Sequence, residues 1–142
     1  MKYTQDSIGF SFQSVSSMLA RHSDNVLQAN LNLSYSQYKV MTVLSNILSA
    51  KQVDIAEHLS QTEASISRQI KQMQHEKLIE VKVNPANRRE HLVSMTAKGS
   101  RIYSKATDLL NRVYWPVFRN LNDSELRNMQ NSLQILSNYL SK

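Results

Sequence analysis

Apolar residues recur along this chain at two different periods, and the switch between them organises the reading. Ile8, Phe12, Val15, Leu19, His22 and Val26 step alternately by four and three. That is one face of a long helix, predicted over residues 5–29. His22 falls inside the stripe and is expected to be buried or interfacial rather than a ligand. Ser34 is placed to cap a second helix, Tyr35 to Leu48. Its Tyr38, Met41, Leu44 and Ile47, with Val40, Val43 and Leu48 beside them, make it apolar around most of its circumference and therefore central. Val53 to Leu59 predicts a short helix with Ile55, Ala56 and Leu59 inward. After the polar Ser60-Gln61-Thr62, Thr62 caps a further helix and Glu63 complements its dipole. Ile66, Ile70 and Met73 form the inner face of that helix. Two helices with so short a joint, and a small Ala56 where they would cross, make the helix-turn-helix pattern.

After Leu78 the period becomes two. Ile79, Val81 and Val83 alternate with Glu80 and Lys82, which predicts a strand. Asn84-Pro85-Ala86-Asn87 signals a turn, Arg88-Arg89-Glu90 is charged, and Leu92 to Met95 predicts the returning strand. A helix-turn-helix followed by such a hairpin is a winged helix. Thr96 is expected to cap a helix from Ala97, with Ile102, Ala106, Leu109, Leu110, Val113 and Val117 inward and Pro116 kinking or ending it. A last helix starts at Asp123 or Ser124 and carries the stripe Leu126, Met129, Leu133, Leu136 and Leu140. The expected fold class is mainly α, an α+β winged helix. Residues 1–142 read as one domain, with a winged-helix lobe over 34–95 and long flanking helices over 5–29 and 97–141. A lobe that small cannot cover both flanking stripes, so they are expected to interlock across a two-fold axis in a homodimer.

Composition narrows the chemistry. The 142 residues carry a net charge of +6, which favours an anionic partner. The excess is spread out: residues 51–99 contribute only +2 and residues 100–142 contribute +3. Sequence-independent attraction to a polyanion should therefore be modest, and specific contacts matter more. With no cysteine and only two glycines, Gly9 and Gly99, thiol chemistry, zinc ribbons and glycine-rich phosphate loops are excluded. His22, His58, His75 and His91 lack ligand spacing, and the Asp54, Glu57 and His58 pairs are ordinary for an exposed helix face. No enzyme, metal site or cofactor is expected. The stretch Met1 to Ile8 is polar, and no apolar run is long enough for a membrane span, so a cytoplasmic protein is expected.

The residues Ala64-Ser65-Ile66-Ser67-Arg68-Gln69-Ile70-Lys71-Gln72-Met73, then Leu78-Ile79, Asn87-Arg88-Arg89 and Met95-Thr96-Ala97-Lys98-Gly99 resemble the MarR family of bacterial transcription regulators. The resemblance covers nearly the whole chain in order, spacing and length of elements. It implies a homodimer that binds a pseudo-palindromic operator in double-stranded DNA and acts as a ligand-responsive repressor. On the reading helix it implies DNA contacts from Ala64, Ser65, Ser67, Arg68, Lys71 and Gln72. Arginine suits guanine O6 and N7, glutamine suits adenine, and the others suit phosphates or methyl groups. In the wing it implies Arg89 in a minor groove and Arg88 on phosphate or in solvent. A small-molecule effector would be met by Phe12, Val15, Tyr38, Met41 and Tyr114, although core packing is the stronger reading of each. Two departures stand out. Asn87 replaces the family's wing aspartate, and Lys77 stands where a glycine usually follows the reading helix, at a cost of about 1 kcal/mol in a left-handed cap. The alternative from another class is a winged-helix protein or RNA interaction module without specific DNA binding.

Overall fold

The structure, a computed structural model, describes residues 5–141. In chain order it comprises α1 (Gln5–Leu31), α2 (Tyr35–Asn46), β1 (Ala50–Lys51), α3 (Gln52–His58), α4 (Glu63–His75), β2 (Ile79–Asn84), β3 (Asn87–Met95), α5 (Ala97–Phe118) and α6 (Asp123–Leu140). This is the mainly helical α+β winged helix that the periodicity predicts. The chain divides into two compact units between Asp108 and Leu109, within α5.

In the first unit α2 is central, packed on α1, α3, α4 and β3. Val40, Met41 and Leu44 of α2 meet Leu27, Leu33, Ile55, Ile66, Met73, Ile79 and Val93 in a closed core. Ser34 starts α2 with a full capping box: its hydroxyl accepts from the Gln37 backbone N–H, and the Gln37 side-chain oxygen accepts from the Ser34 N–H. Two orphan donors are thereby satisfied at once. The helix stops at Asn46, short of the expected Leu48, and Leu48 is 87% exposed. The three-stranded antiparallel sheet runs β1-β3-β2, with Val81 opposite Val93.

Two consecutive residues, Lys77 and Leu78, fasten the end of α4 to the start of α5. Lys77 adopts φ 61°, the left-handed turn expected from its position. The Thr96 hydroxyl lies 2.7 Å from the Lys77 carbonyl and 3.2 Å from that of Leu78, and it accepts from the Gly99 N–H. The Leu78 carbonyl also accepts from the Thr96 N–H. Gly99 is obligatory here, because a Cβ at that position would overlap the Leu78 carbonyl oxygen.

Of the two outcomes expected at Pro116, one is excluded. Pro116 does not end α5, which continues to Phe118. The stripe on α1 is largely uncovered: Ile8, Phe12 and Val15 are about half exposed, and His22 is exposed with them. What α1 buries is Ser23 and Leu27, with the Ser23 hydroxyl donating to the Leu19 carbonyl. In the second unit α6 begins at Asp123, capped by Asn122 in a second capping box. Its stripe lies half open, with Met129, Leu133 and Leu136 exposed and Leu140 81% exposed.

Candidate nucleic-acid interface

The turn between α3 and α4 is sharp because Ser60 takes φ 50°. The Gln61 N–H then returns to the Ala56 carbonyl. Thr62 accepts the Ser65 N–H through its hydroxyl oxygen and starts α4. Ile66, Ile70 and Met73 of α4 are buried, so the helix has one orientation about its axis. Its opposite face presents Ala64, Arg68, Lys71 and Gln72 to solvent, with Ser65 and Ser67 half-buried. The Ser65 hydroxyl leans back onto the turn, 3.4 Å from the Gln61 side-chain oxygen that also accepts from Gln69. The ion pairs Lys51–Glu90 and Lys82–Glu80 involve neither Arg68 nor Lys71, so both cations face outward without a carboxylate partner among the described residues.

Sequence reasoning missed the hydrogen bonds at the far end of this face. Gln72 Nε2 donates to one Glu76 carboxylate oxygen at 3.0 Å, and Gln37 Nε2 donates to the other at 2.7 Å. The Lys98 ammonium donates to the Glu76 backbone carbonyl at 2.8 Å. Glu76 thus joins α2, α4 and α5. The Gln72–Glu76 spacing of one helical turn was legible; the Gln37 partner, 39 residues away, was not.

Arg88 and Arg89 are exposed, close to the hairpin turn. They belong to the start of β3, behind a turn formed by Pro85 and Ala86. Asn87 holds this segment with its side-chain oxygen, which accepts from the Arg89 N–H. Glu90 anchors the wing from below, accepting from Lys51 Nζ at 2.7 Å and Asn84 Nδ2 at 2.9 Å. Those donors, Lys51 first, hold the Glu90 carboxyl below its ordinary pKa, and Glu90 in turn raises that of Lys51. A β-bulge after Val83 turns the hairpin.

The expected effector residues differ in exposure. Met41 is wholly buried in the core, whereas Phe12 and Val15 are half exposed. Tyr38 instead stacks between Tyr35 and Tyr103, and its hydroxyl meets that of Thr107 at 3.2 Å. Tyr114 contacts the Phe118 ring edge-on. Among the described residues no group of three or more His, Asp or Glu side chains assembles to hold a metal ion, and no helix is long and apolar enough to cross a membrane.

Comparison with known proteins places the chain. Residues 33–91, which hold the reading helix and most of the wing, match the sequence model of the MarR family. The fold is similar to that of wild-type MarR from E. coli in its apo form, with a TM-score of 0.80 at 19% identity over 96% of this chain and 98% of that one. A mutant of the same E. coli protein, complexed with operator DNA, gives 0.81 at 20% identity over 91% and 92%. A MarR/EmrR family transcriptional regulator from Acinetobacter sp. ADP1 gives 0.85 at 18% identity over 98% of both chains. No curated protein sequence matches significantly. The family match falls on the segment whose geometry forms the exposed face of α4, and the fold extends over nearly all of the rest: residues 33–91 carry the MarR family pattern, and the chain has a winged-helix fold similar to that of these proteins.

Proposed function

We propose that the protein is a homodimeric repressor that reads a pseudo-palindromic operator and releases it when a small molecule binds. The observation that carries the DNA reading is the outward face of α4, where Arg68, Lys71 and Gln72 are exposed on a helix oriented by three buried apolar anchors. In this reading Arg68 pairs with a guanine edge, while Lys71 and the half-buried Ser65 and Ser67 contact phosphate. Ala64 lies against a thymine methyl. Arg89 enters the flanking minor groove, and Arg88 stays on the backbone or in solvent. The likeness to an E. coli MarR variant crystallised on operator DNA supports this arrangement.

Dimerisation is supported by the uncovered apolar stripes on α1 and α6. Exposed apolar residues aligned along one face of a helix in this way mark an interaction site. Phe12, Val15, Tyr38, Met41 and Tyr114 are the residues through which an effector would be sensed.

The test is binding to the DNA upstream of the protein's own gene. Arg68→Ala should weaken the specific complex by about 1–3 kcal/mol and random DNA little. Lys71→Ala should weaken both and reduce the salt slope by about one. Arg89→Ala should cost most where the half-site flanks are A·T-rich. Binding with no sequence preference would sink the regulator reading in favour of an interaction module.

A further inference from the structure

We propose that Glu76 is a positioning residue that fixes which way round the Gln72 amide faces DNA, and so selects adenine at one position of each half-site. The inference rests on the DNA-binding reading above. A glutamine amide carries an acceptor and a donor at the ends of one flat group, and a half-turn about its last bond exchanges them. A free amide therefore discriminates poorly between a base edge that donates and one that accepts.

The chain of bonds behind Gln72 removes that freedom. It starts at a donor that cannot change its role, the Ser34 backbone N–H, which binds the Gln37 side-chain oxygen at 2.9 Å. The Gln37 amide is thereby fixed with its NH2 group pointing at Glu76, 2.7 Å away. Gln37 is only 5% exposed, so this amide has little room to turn. Glu76 is a carboxylate and only accepts. Its second oxygen takes the Gln72 NH2 at 3.0 Å. Reversing Gln72 would set its oxygen against a carboxylate oxygen.

One N–H of Gln72 is used in this way. The carbonyl oxygen and the second N–H remain for the groove, in fixed order. That pair matches the N6 donor and N7 acceptor of adenine. It mismatches guanine O6 and thymine O4, which accept where adenine donates.

The substitution Glu76→Gln tests the logic with almost no change of shape. Because Gln37 must still donate, the new amide has to turn its oxygen toward Gln37 and its NH2 toward Gln72. Gln72 must then present its oxygen to that NH2 and its own NH2 to the DNA. The wild type, Gln72→Ala and Glu76→Gln are each equilibrated with a randomised DNA library and the bound sequences are read.

The wild type should enrich adenine at one position per half-site, and Gln72→Ala should lose about 5- to 150-fold of that preference. Glu76→Gln should move the preference at the same position toward guanine or thymine and leave every other position unchanged. A purely structural role would weaken all positions alike, and that result overturns the proposal. So does an unchanged adenine preference in Glu76→Gln, or a Gln72→Ala protein with the wild-type profile. Unchanged preference at the Arg68 position reports that each variant is folded. If the wild type enriches no sequence at all, the DNA reading itself fails, and that is apparent before any variant is compared.

Discussion

Replacing Gly99 by alanine should destabilise the protein although the residue lies in a helix. Helix propensity alone favours alanine by about 1 kcal/mol. At Gly99, however, the new Cβ would overlap the Leu78 carbonyl oxygen and stand 3.0 Å from its carbon. Both are backbone atoms, so relief requires α5 or the α4–β2 junction to move. Overpacking of this kind costs about 1–3 kcal/mol. The displaced Leu78 carbonyl also loses geometry with two donors, the Thr96 N–H and hydroxyl, each worth about 1 kcal/mol. The net expectation is a loss of about 2–4 kcal/mol, or a fall in Tm of roughly 5–15 °C for a chain of this size. Circular dichroism melts at one fixed protein concentration measure it, since association makes Tm depend on concentration. Gly9→Ala is the internal control. Gly9 lies in α1 with no atom within 4 Å of a Cβ built there, so it carries the propensity term alone and should gain about 0.5–1 kcal/mol. A Gly99→Ala protein that melts at or above the wild type would refute the close approach of α5 to Leu78.

Three further outcomes follow from the same structure. Lys77→Gly should raise the urea midpoint by the equivalent of about 1 kcal/mol, because it relieves a left-handed lysine; no gain would mean that the Lys77 backbone is unstrained. The Glu90 carboxyl is held below its ordinary value by Lys51, so its stabilisation is present above the unfolded pKa and disappears as pH falls through the folded one. The urea-midpoint gap between wild type and Glu90→Gln should therefore narrow as pH falls below the ordinary glutamate value of about 4.3, and a gap that widens on acidification would contradict the pairing. Leu133→Asp, placed on the half-exposed α6 stripe, should halve the sedimenting mass at micromolar concentration or unfold the chain. A folded, DNA-binding variant with wild-type mass would exclude α6 from the dimer seam.

The sequence makes the helix-turn-helix, the hairpin and the caps at Ser34, Thr62 and Thr96 legible, because each depends on neighbours within one or two turns. Periodicity does not report what covers an apolar face. The α1 stripe around Phe12 is as regular as the core face of α4, yet one is open and the other closed. Pattern also misplaced the end of α2, since Ile47 and Leu48 are apolar but exposed. It passed over β1, whose two residues are too short to show a period. On the reading face, Arg68 and Lys71 were visible because helix phase puts them opposite Ile66 and Ile70. Glu76 was not, because its significance lies in a bond to Gln37, a buried polar residue that hydrophobic pattern cannot detect.

The fastening of α4 through Lys77 and Leu78 makes that helix a lever with its pivot at one end. Its 13 residues span about 20 Å at the usual rise. A tilt of about 10° at the pivot would sweep the Ala64 end through roughly 3 Å, close to the 3.4 Å step between bases. Arg68, nearer the pivot, would travel about two-thirds as far, and Gln72 a little over a third. On the DNA-binding reading proposed above, a tilt about this end would therefore disturb contacts made by Ala64 and Arg68 more than those made by Gln72.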